Sequence, residues 1–332
     1  MSRSPFELET IVPGVTRIEL PRLSGVPDPL SEPVNVYLID DPSPALINTG
    51  HPAHSDHLVA ALRACSVTPA QIERIVATSW RVDIIGGATR FPRADLFVLS
   101  PDMQAPRDYE MHVGARRQKW GDLTSELAES DDNFRRSPVD EALDQYYPRM
   151  TRDLGFAPLR NGHFIQLGPL HLEVLATAGP ASGHLALYEA ERELLFCGDF
   201  SLSGLPKRIE NTRGYLVSLE RLAELPSERV FPNRGRHFEQ GRWTLSRAAN
   251  FLNNFLSNAP AVFVRAPTVL EFIERDRGIT AEDPVECVVN YELFRTLFDE
   301  LVRTGTIAAE GEGIQRRYGV DIDDPREKLR RH

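Results

Sequence analysis

Residues 76–87 read Val-Ala-Thr-Ser-Trp-Arg-Val-Asp-Ile-Ile-Gly-Gly. The β-branched content of Ile72–Ala77 predicts a buried strand. That strand ends on Thr78, Ser79, Arg81 and Asp83, followed by a glycine pair. Polar groups at the tip of a buried strand need partners, because an unpaired buried charge or donor is costly.

With 332 residues, the chain is long enough for one large domain or two unequal ones. Its formal net charge of -10 argues against non-specific affinity for nucleic acid or acidic membranes. No stretch has the length and apolarity of a bilayer span, and the first residues, MSRSPFELETIVPGV, lack the apolar run of a signal peptide. Cys65, Cys197 and Cys287 are far apart, which suggests reduced thiols in a cytoplasmic protein.

Strands are expected at Val34–Asp40 and Ala45–Asn48, and a helix at Ser55–Cys65. Leu96–Leu99 reads as a further strand. Residues 105–155, charged and helically spaced, read as two or three inserted helices, either a cap over a site or a structural flap. Strand signals return at Phe164–Leu167, Leu170–Ala176, His184–Tyr188, Glu193–Cys197 and Glu228–Phe231, with helices at Tyr215–Leu225 and Gln240–Leu256. Residues 261–332 read as helix, helix and a hairpin around Glu310-Gly-Glu-Gly, the order of a small winged-helix-like module. That segment holds 11 Lys and Arg against 15 Asp and Glu, so it makes a poor DNA reader and a better packing or dimerisation unit.

Five motifs stand in order along residues 10–260. They are Leu46-Ile-Asn-Thr-Gly50, the 76–87 stretch, Thr177-Ala-Gly-Pro-Ala-Ser-Gly-His184, Leu194-Leu-Phe-Cys-Gly-Asp199 and Pro232-Asn-Arg-Gly235. Together they resemble the metallo-β-lactamase superfamily, in particular its hydroxyacylglutathione hydrolase-like branch. The matching motifs there are Leu-Ile-Asp-Thr-Gly, Thr-His-x-His-x-Asp-His-x-Gly-Gly, Thr-Pro-Gly-His-Thr-x-Gly-His, an aspartate-bearing strand, and Pro-x-His-Gly. The resemblance implies an α/β fold, the αββα four-layer sandwich, over 1–260, with the helical insertion at about 105–155 and the winged-helix-like module at 261–332.

It also implies where the metal ligands should stand. One site of the family uses three histidines, and the matching positions are Ser79, Arg81 and Pro180. The other uses Asp, His and His, matched by Asp83, Ile84 and Arg234. The bridging carboxylate is matched by Asp199. A dimetal centre needs about seven donors at roughly 2.0–2.2 Å, whereas proline offers none and arginine stays protonated. The expectation is no zinc or iron at the family position and no other cofactor. His184 matches a supporting histidine and is not a ligand; Asn48 and Thr78 are expected beside it.

Without metal, Asp83 and Asp199 would be buried, adjacent and unpaired, so Arg81 and Arg234 are expected to supply the missing positive charge. The competing arrangement has both arginines in solvent and water in the pocket. Other candidates are weaker. His51, His54 and His57 read as a polar helix start more readily than as a displaced metal site, and His237 as a surface residue more readily than as one reaching the pocket mouth. Ser79 lacks a nucleophile elbow, Cys197 reads as core, and Trp80 either fills the former metal space or points into the core. The functional expectation is a catalytically degenerate binding, regulatory or partner subunit, with a small anionic ligand or a protein as partner. A homodimer is plausible. The alternatives are hydrolysis of a thioester, lactone or phosphoester by non-family chemistry in the same pocket, and nucleic-acid association through the C-terminal module.

Overall fold

The computed structural model describes residues 6–27, 30–99, 105–148, 156–181, 183–262 and 267–320. Two sheets form its centre. The first places β1 (Glu7–Val12), β2 (Val15–Leu20), β3 (Val34–Ile39), β4 (Ala45–Ile47), β5 (Arg74–Val76), β6 (Asp95–Leu99) and β7 (Phe156–Leu159) side by side in sequential order. The second places β8 (Phe164–Leu167), β9 (Leu170–Ala176), β10 (Leu185–Glu189), β11 (Leu194–Gly198), β12 (Arg229–Pro232) and β13 (Phe238–Glu239) side by side. Each sheet starts as an antiparallel meander. Pairing turns parallel at β4/β5 in the first sheet and at β11/β12 in the second.

The helices are α1 (Ser55–Ala64), the single turn α2 (Val82–Ile85), α3 (Ala105–Ser130), α4 (Ser137–Tyr146), α5 (Thr212–Glu224), α6 (Gly241–Val262), α7 (Val269–Arg277) and α8 (Pro284–Arg303). Period-two alternation sorts the strand residues into layers. Val36 and Leu38 of β3 face Leu58 and Leu62 of α1, while Tyr37 and Ile39 face Leu187, Phe196 and Phe231 of the other sheet. The far side of the second sheet is covered by Leu219 and Leu222 of α5 and by Leu245 and Leu252 of α6. Helix, sheet, sheet and helix layers stack in that order, the expected four-layer sandwich. A buried leucine of this kind contributes roughly 1.5–3 kcal/mol.

The predicted strands and helices from Val34 to Arg303 recur with ends shifted by a few residues, except α6, which runs on to Val262. Four strands, β1, β2, β7 and β13, lie outside the expected set. In β1 and β2, charged residues alternate with apolar ones, and Arg17 bridges Glu9 across the hairpin at 3.0 Å and Glu19 on its own strand at 2.9 Å. β7 contains Pro158, tolerated because this strand is last in its sheet.

In the inserted region, α3 and α4 are two helices; residues 149–155 lie outside the described residues. α4 turns Val139, Ala142, Leu143 and Tyr146 inward at helical spacing. The C-terminal segment shows helix, helix and a two-stranded hairpin, β14 (Ala308–Glu310) with β15 (Arg317–Gly319); residues 263–266 and 321–332 lie outside the described residues. Its α8 contributes Val288, Leu293 and Leu297 to the same apolar cluster as α5 and α6. No helix among the described residues is long and apolar enough to cross a membrane.

Candidate functional site

The ends of β4, β5, β11 and β12 meet where the pairing turns parallel, the place where open α/β sheets leave a crevice. A neutral polar knot ties these ends together. Asn48 closes β4 with a left-handed backbone (φ 67°), a conformation asparagine tolerates better than most residues. Its Oδ1 accepts from the Thr78 backbone N–H and hydroxyl, both at 3.0 Å, and its Nδ2 donates to Asn233 Oδ1 at 2.7 Å. Asn233 Nδ2 donates in turn to Thr78 Oγ1 at 2.8 Å and to Asp199 Oδ1 at 3.1 Å. Asn48, Thr78 and Asn233 are at most 1% exposed.

His184 fixes the fourth strand end. Its Nε2 accepts from the Asp199 backbone N–H at 2.9 Å, so Nδ1 carries the proton and donates to Thr177 Oγ1 at 2.7 Å. Burial pushes its pKa down to about 4, against the pull of Asp199. The ring lies against Gly198, which has φ 67°; a Cβ there would stand 2.3 Å from His184 Nε2. A glycine is required at this position, and the turn it permits aims Asp199 into the crevice.

In front of the knot lies a charged layer. Arg81, just before the α2 turn, grips Asp83 with both edges of its fork: Nε to Oδ1 at 3.0 Å and Nη2 to Oδ2 at 2.8 Å. Arg234 Nη2 donates to the same Oδ2, and its Nη1 reaches the Pro33 carbonyl at 3.3 Å. Asp199 Oδ2 lies 3.9 Å from Arg81 Nε and accepts from Ser79 Oγ at 3.1 Å. The Asp83 and Asp199 side chains are 4% and 3% exposed. Burial by itself would raise both carboxyl pKa values. The guanidiniums of Arg81 and Arg234 outweigh it, holding Asp83 well below the ordinary carboxylate range and lowering Asp199. Burial lowers the Arg81 pKa, but the two aspartates more than reverse that.

The remaining predicted residues divide. Pro180 lines a small cavity of about 30 Å³ on the far side of Arg81, with Tyr146 and Tyr147 from the end of α4. The insertion therefore covers one flank of the site. Ile84 is a correction to the expected pocket set: its side chain is fully buried in the apolar cluster beneath α1, and only its carbonyl turns back, accepting from Thr49. Its aliphatic side chain is better solvated there than among charges. Trp80 also packs in that cluster and donates to the Leu99 carbonyl at 3.0 Å.

His51 stacks on Tyr146 and bonds its carbonyl at 2.9 Å. Burial holds His51 and His54 in the neutral range, His54 at about 4. Among the described residues no group of three or more His, Cys, Asp or Glu is placed to hold a metal ion. His237 sits beside Glu9 and Glu239, away from the crevice. Cys197 is fully buried, and burial pushes its thiol up.

A cavity of about 530 Å³ opens beside the charged layer, and Arg81, Asp199 and Arg234 form part of its wall. Sequence reasoning missed Asn233, the hub of the knot, although it sits inside the Pro232–Gly235 motif. It also missed Glu32, Lys207, Arg208, Arg236 and Arg247, which line the cavity from loops and from α6. No motif marked these five positions.

A family profile described as the metallo-beta-lactamase superfamily matches residues 31–234, more than half of the chain. The beta-lactamase-like protein 2 homolog of Caenorhabditis elegans is 23% identical over 233 residues, 69% of this chain. The match spans 63% of that relative's own length. The hydroxyacylglutathione hydrolase of Legionella pneumophila (strain Corby) is 40% identical over 42 residues, 13% of this chain and 16% of that one. A metallo-beta-lactamase family protein of known structure from Thermus thermophilus superposes with a TM-score of 0.70 at 21% identity, covering 94% of this chain and 100% of that one. At that identity the likeness is one of fold.

Proposed function

This chain belongs to the metallo-beta-lactamase superfamily, and we propose that within it the protein is a catalytically degenerate member that acts by binding, as a regulatory or partner subunit. The observation that carries this reading is the two-pronged grip of Arg81 on Asp83, with Arg234 on the same carboxylate. The family's dimetal centre does not fit this donor set. Two carboxylates remain, and a cation reaching them would have to displace two guanidiniums that are 12% and 24% exposed and leave them beside it unpaired, at several kcal/mol. The positive charges in turn favour an anionic ligand in the adjoining cavity.

The contact between Ser79 and Asp199 at 3.1 Å favours a second reading, hydrolysis of a thioester, lactone or phosphoester with Ser79 as nucleophile. That role needs Asp199 to take the hydroxyl proton. Arg81 and Arg234 depress its basicity, which makes it a poor base. Binding is therefore the stronger reading.

Metal analysis of protein purified without chelator tests the proposal. The expected content is below about 0.1 equivalent of zinc, iron or manganese per chain, unchanged after zinc is added and dialysed away. One or two equivalents, lost in Asp83→Ala and Asp199→Ala, would overturn it. So would turnover of an ester, thioester or phosphodiester panel. Turnover that persists in EDTA and disappears in Ser79→Ala would select the hydrolase reading.

A further inference from the structure

The wall of the large cavity has a charge that the composition does not explain. The chain carries a net charge of -10, yet six cationic side chains and only two carboxylates, Glu32 and Asp199, line this space. Three of the cations are already engaged. Arg81 and Arg234 hold Asp83, and Lys207 pairs with Glu32 at 2.6 Å. The other three, Arg208, Arg236 and Arg247, form no ion pair with a described carboxylate. Arg208 donates to Tyr146 Oη at 2.9 Å and lies over that ring, while Arg236 and Arg247 lie over Phe238 and Trp243. A guanidinium carbon seated over a ring still leaves N–H donors for a ligand.

Between these arginines the wall is apolar, built from Phe200, Leu202, Leu205, Pro206 and Phe238. The loop that carries most of it is tied at both ends. The Ser201 N–H donates to Tyr215 Oη at 2.7 Å, and the Glu210 N–H donates to the Gly179 carbonyl at 2.8 Å. The site is thus held in shape before any ligand arrives, and its volume suits one small molecule.

We propose that this cavity binds a small amphiphilic polyanion, a phosphate or diphosphate ester of an apolar acyl, prenyl or aromatic body. This deepens, and rests on, the reading of the pocket as a metal-free binding site. A single carboxylate satisfies one guanidinium fork and leaves two others unused, whereas a diphosphate offers enough oxygens for all three. The apolar wall then receives the ester's body.

Calorimetry in EDTA with three probes tests this, on protein whose metal content has been measured. The probes are geranyl diphosphate, inorganic diphosphate and geraniol. Geranyl diphosphate should bind at least about tenfold more tightly than either of the others. Arg236→Gln/Arg247→Gln, at exposed positions, should weaken both diphosphates without changing the melting temperature. Leu205→Ser should weaken geranyl diphosphate and geraniol and leave inorganic diphosphate unchanged. Absence of binding by all three probes would overturn the proposal. Equal affinity for geranyl and inorganic diphosphate would do the same. Sedimentation with phosphatidylglycerol vesicles, in place of binding to the soluble ester, would reassign the surface to lipid headgroups and also overturn it. A metal-free protein that fails these tests sinks this inference alone, while stoichiometric metal sinks the reading beneath it.

Discussion

Two layers of the same crevice solve burial in opposite ways. The rear layer, Asn48, Thr78, Asn233, Thr177 and His184, holds four strand ends through neutral hydrogen bonds with donors and acceptors matched. The front layer, Arg81, Asp83, Arg234 and Asp199, is fully ionised and held by opposite charge. The rear layer depends on the fold excluding water and supplying a partner to each polar atom. The front layer depends on equal numbers of charges being buried together. A substitution that the rear layer tolerates as a change of shape becomes, in the front layer, a loss of charge balance.

The sharpest way to break the contrast is Arg81→Met. It leaves Asp83 with Arg234 alone and removes the guanidinium near Asp199, so unfolding free energy at pH 7 should fall by about 3–5 kcal/mol in urea titration. Arg81→Met with Asp83→Asn should recover much of that loss, a coupling that the rear layer would not give. A cost below about 1 kcal/mol for Arg81→Met would mean that the pair is solvated.

Acid should separate the layers next. The His184 pKa is pushed down to about 4 from an ordinary 6.5. Between those values the unfolded chain binds a proton that the folded chain refuses, so stability is complete above 6.5 and declines as pH falls toward 4. The loss is on the order of 3 kcal/mol. His54, also at about 4, adds to the same window. Asp83 behaves differently. Its depressed carboxyl keeps its contribution throughout that window and loses it only below the ordinary carboxylate range, as pH falls through the folded value. Urea midpoints at pH 7.5, 6 and 4.5 should show a slope that is reduced in His184→Gln and retained in Asp83→Asn.

The smallest effect sharpens the rear layer. Asn48→Asp installs the residue of the resembled motif, but it replaces the Nδ2 donor with an oxygen facing Asn233 Oδ1. Turning Asn233 over would restore that contact and lose its donations to Thr78 and Asp199. A decrease of about 1–3 kcal/mol is expected, read as a lower melting temperature. An unchanged melting temperature would mean that the knot contributes little.

Much of this was legible in the chain. Strand ends that break on Asn-Thr-Gly, Thr-Ser, Gly-Asp and Pro-Asn-Arg-Gly located the crevice through their resemblance to the family's motifs, even though most of the polar residues there are buried. That Arg81 and Arg234 would hold Asp83 and Asp199 followed from charge and the cost of burying it unpaired. Ile84 did not follow, because a motif position says nothing about which way a one-turn helix points its side chain. Asn233 was hidden because its role needs partners 155 and 185 residues away. Arg208, Arg236 and Arg247 were hidden for a similar reason: an arginine in a loop or on a helix face has no pattern until the cavity it lines exists.

From the residues alone came most of the strands and helices and the family, which are local properties of type and spacing. Which guanidinium meets which carboxylate, and where an uncompensated positive wall surrounds an apolar space, was decided by the packing of distant segments. Coulomb interaction and hydrogen bonding act over a few ångströms, and only the folded chain sets those separations.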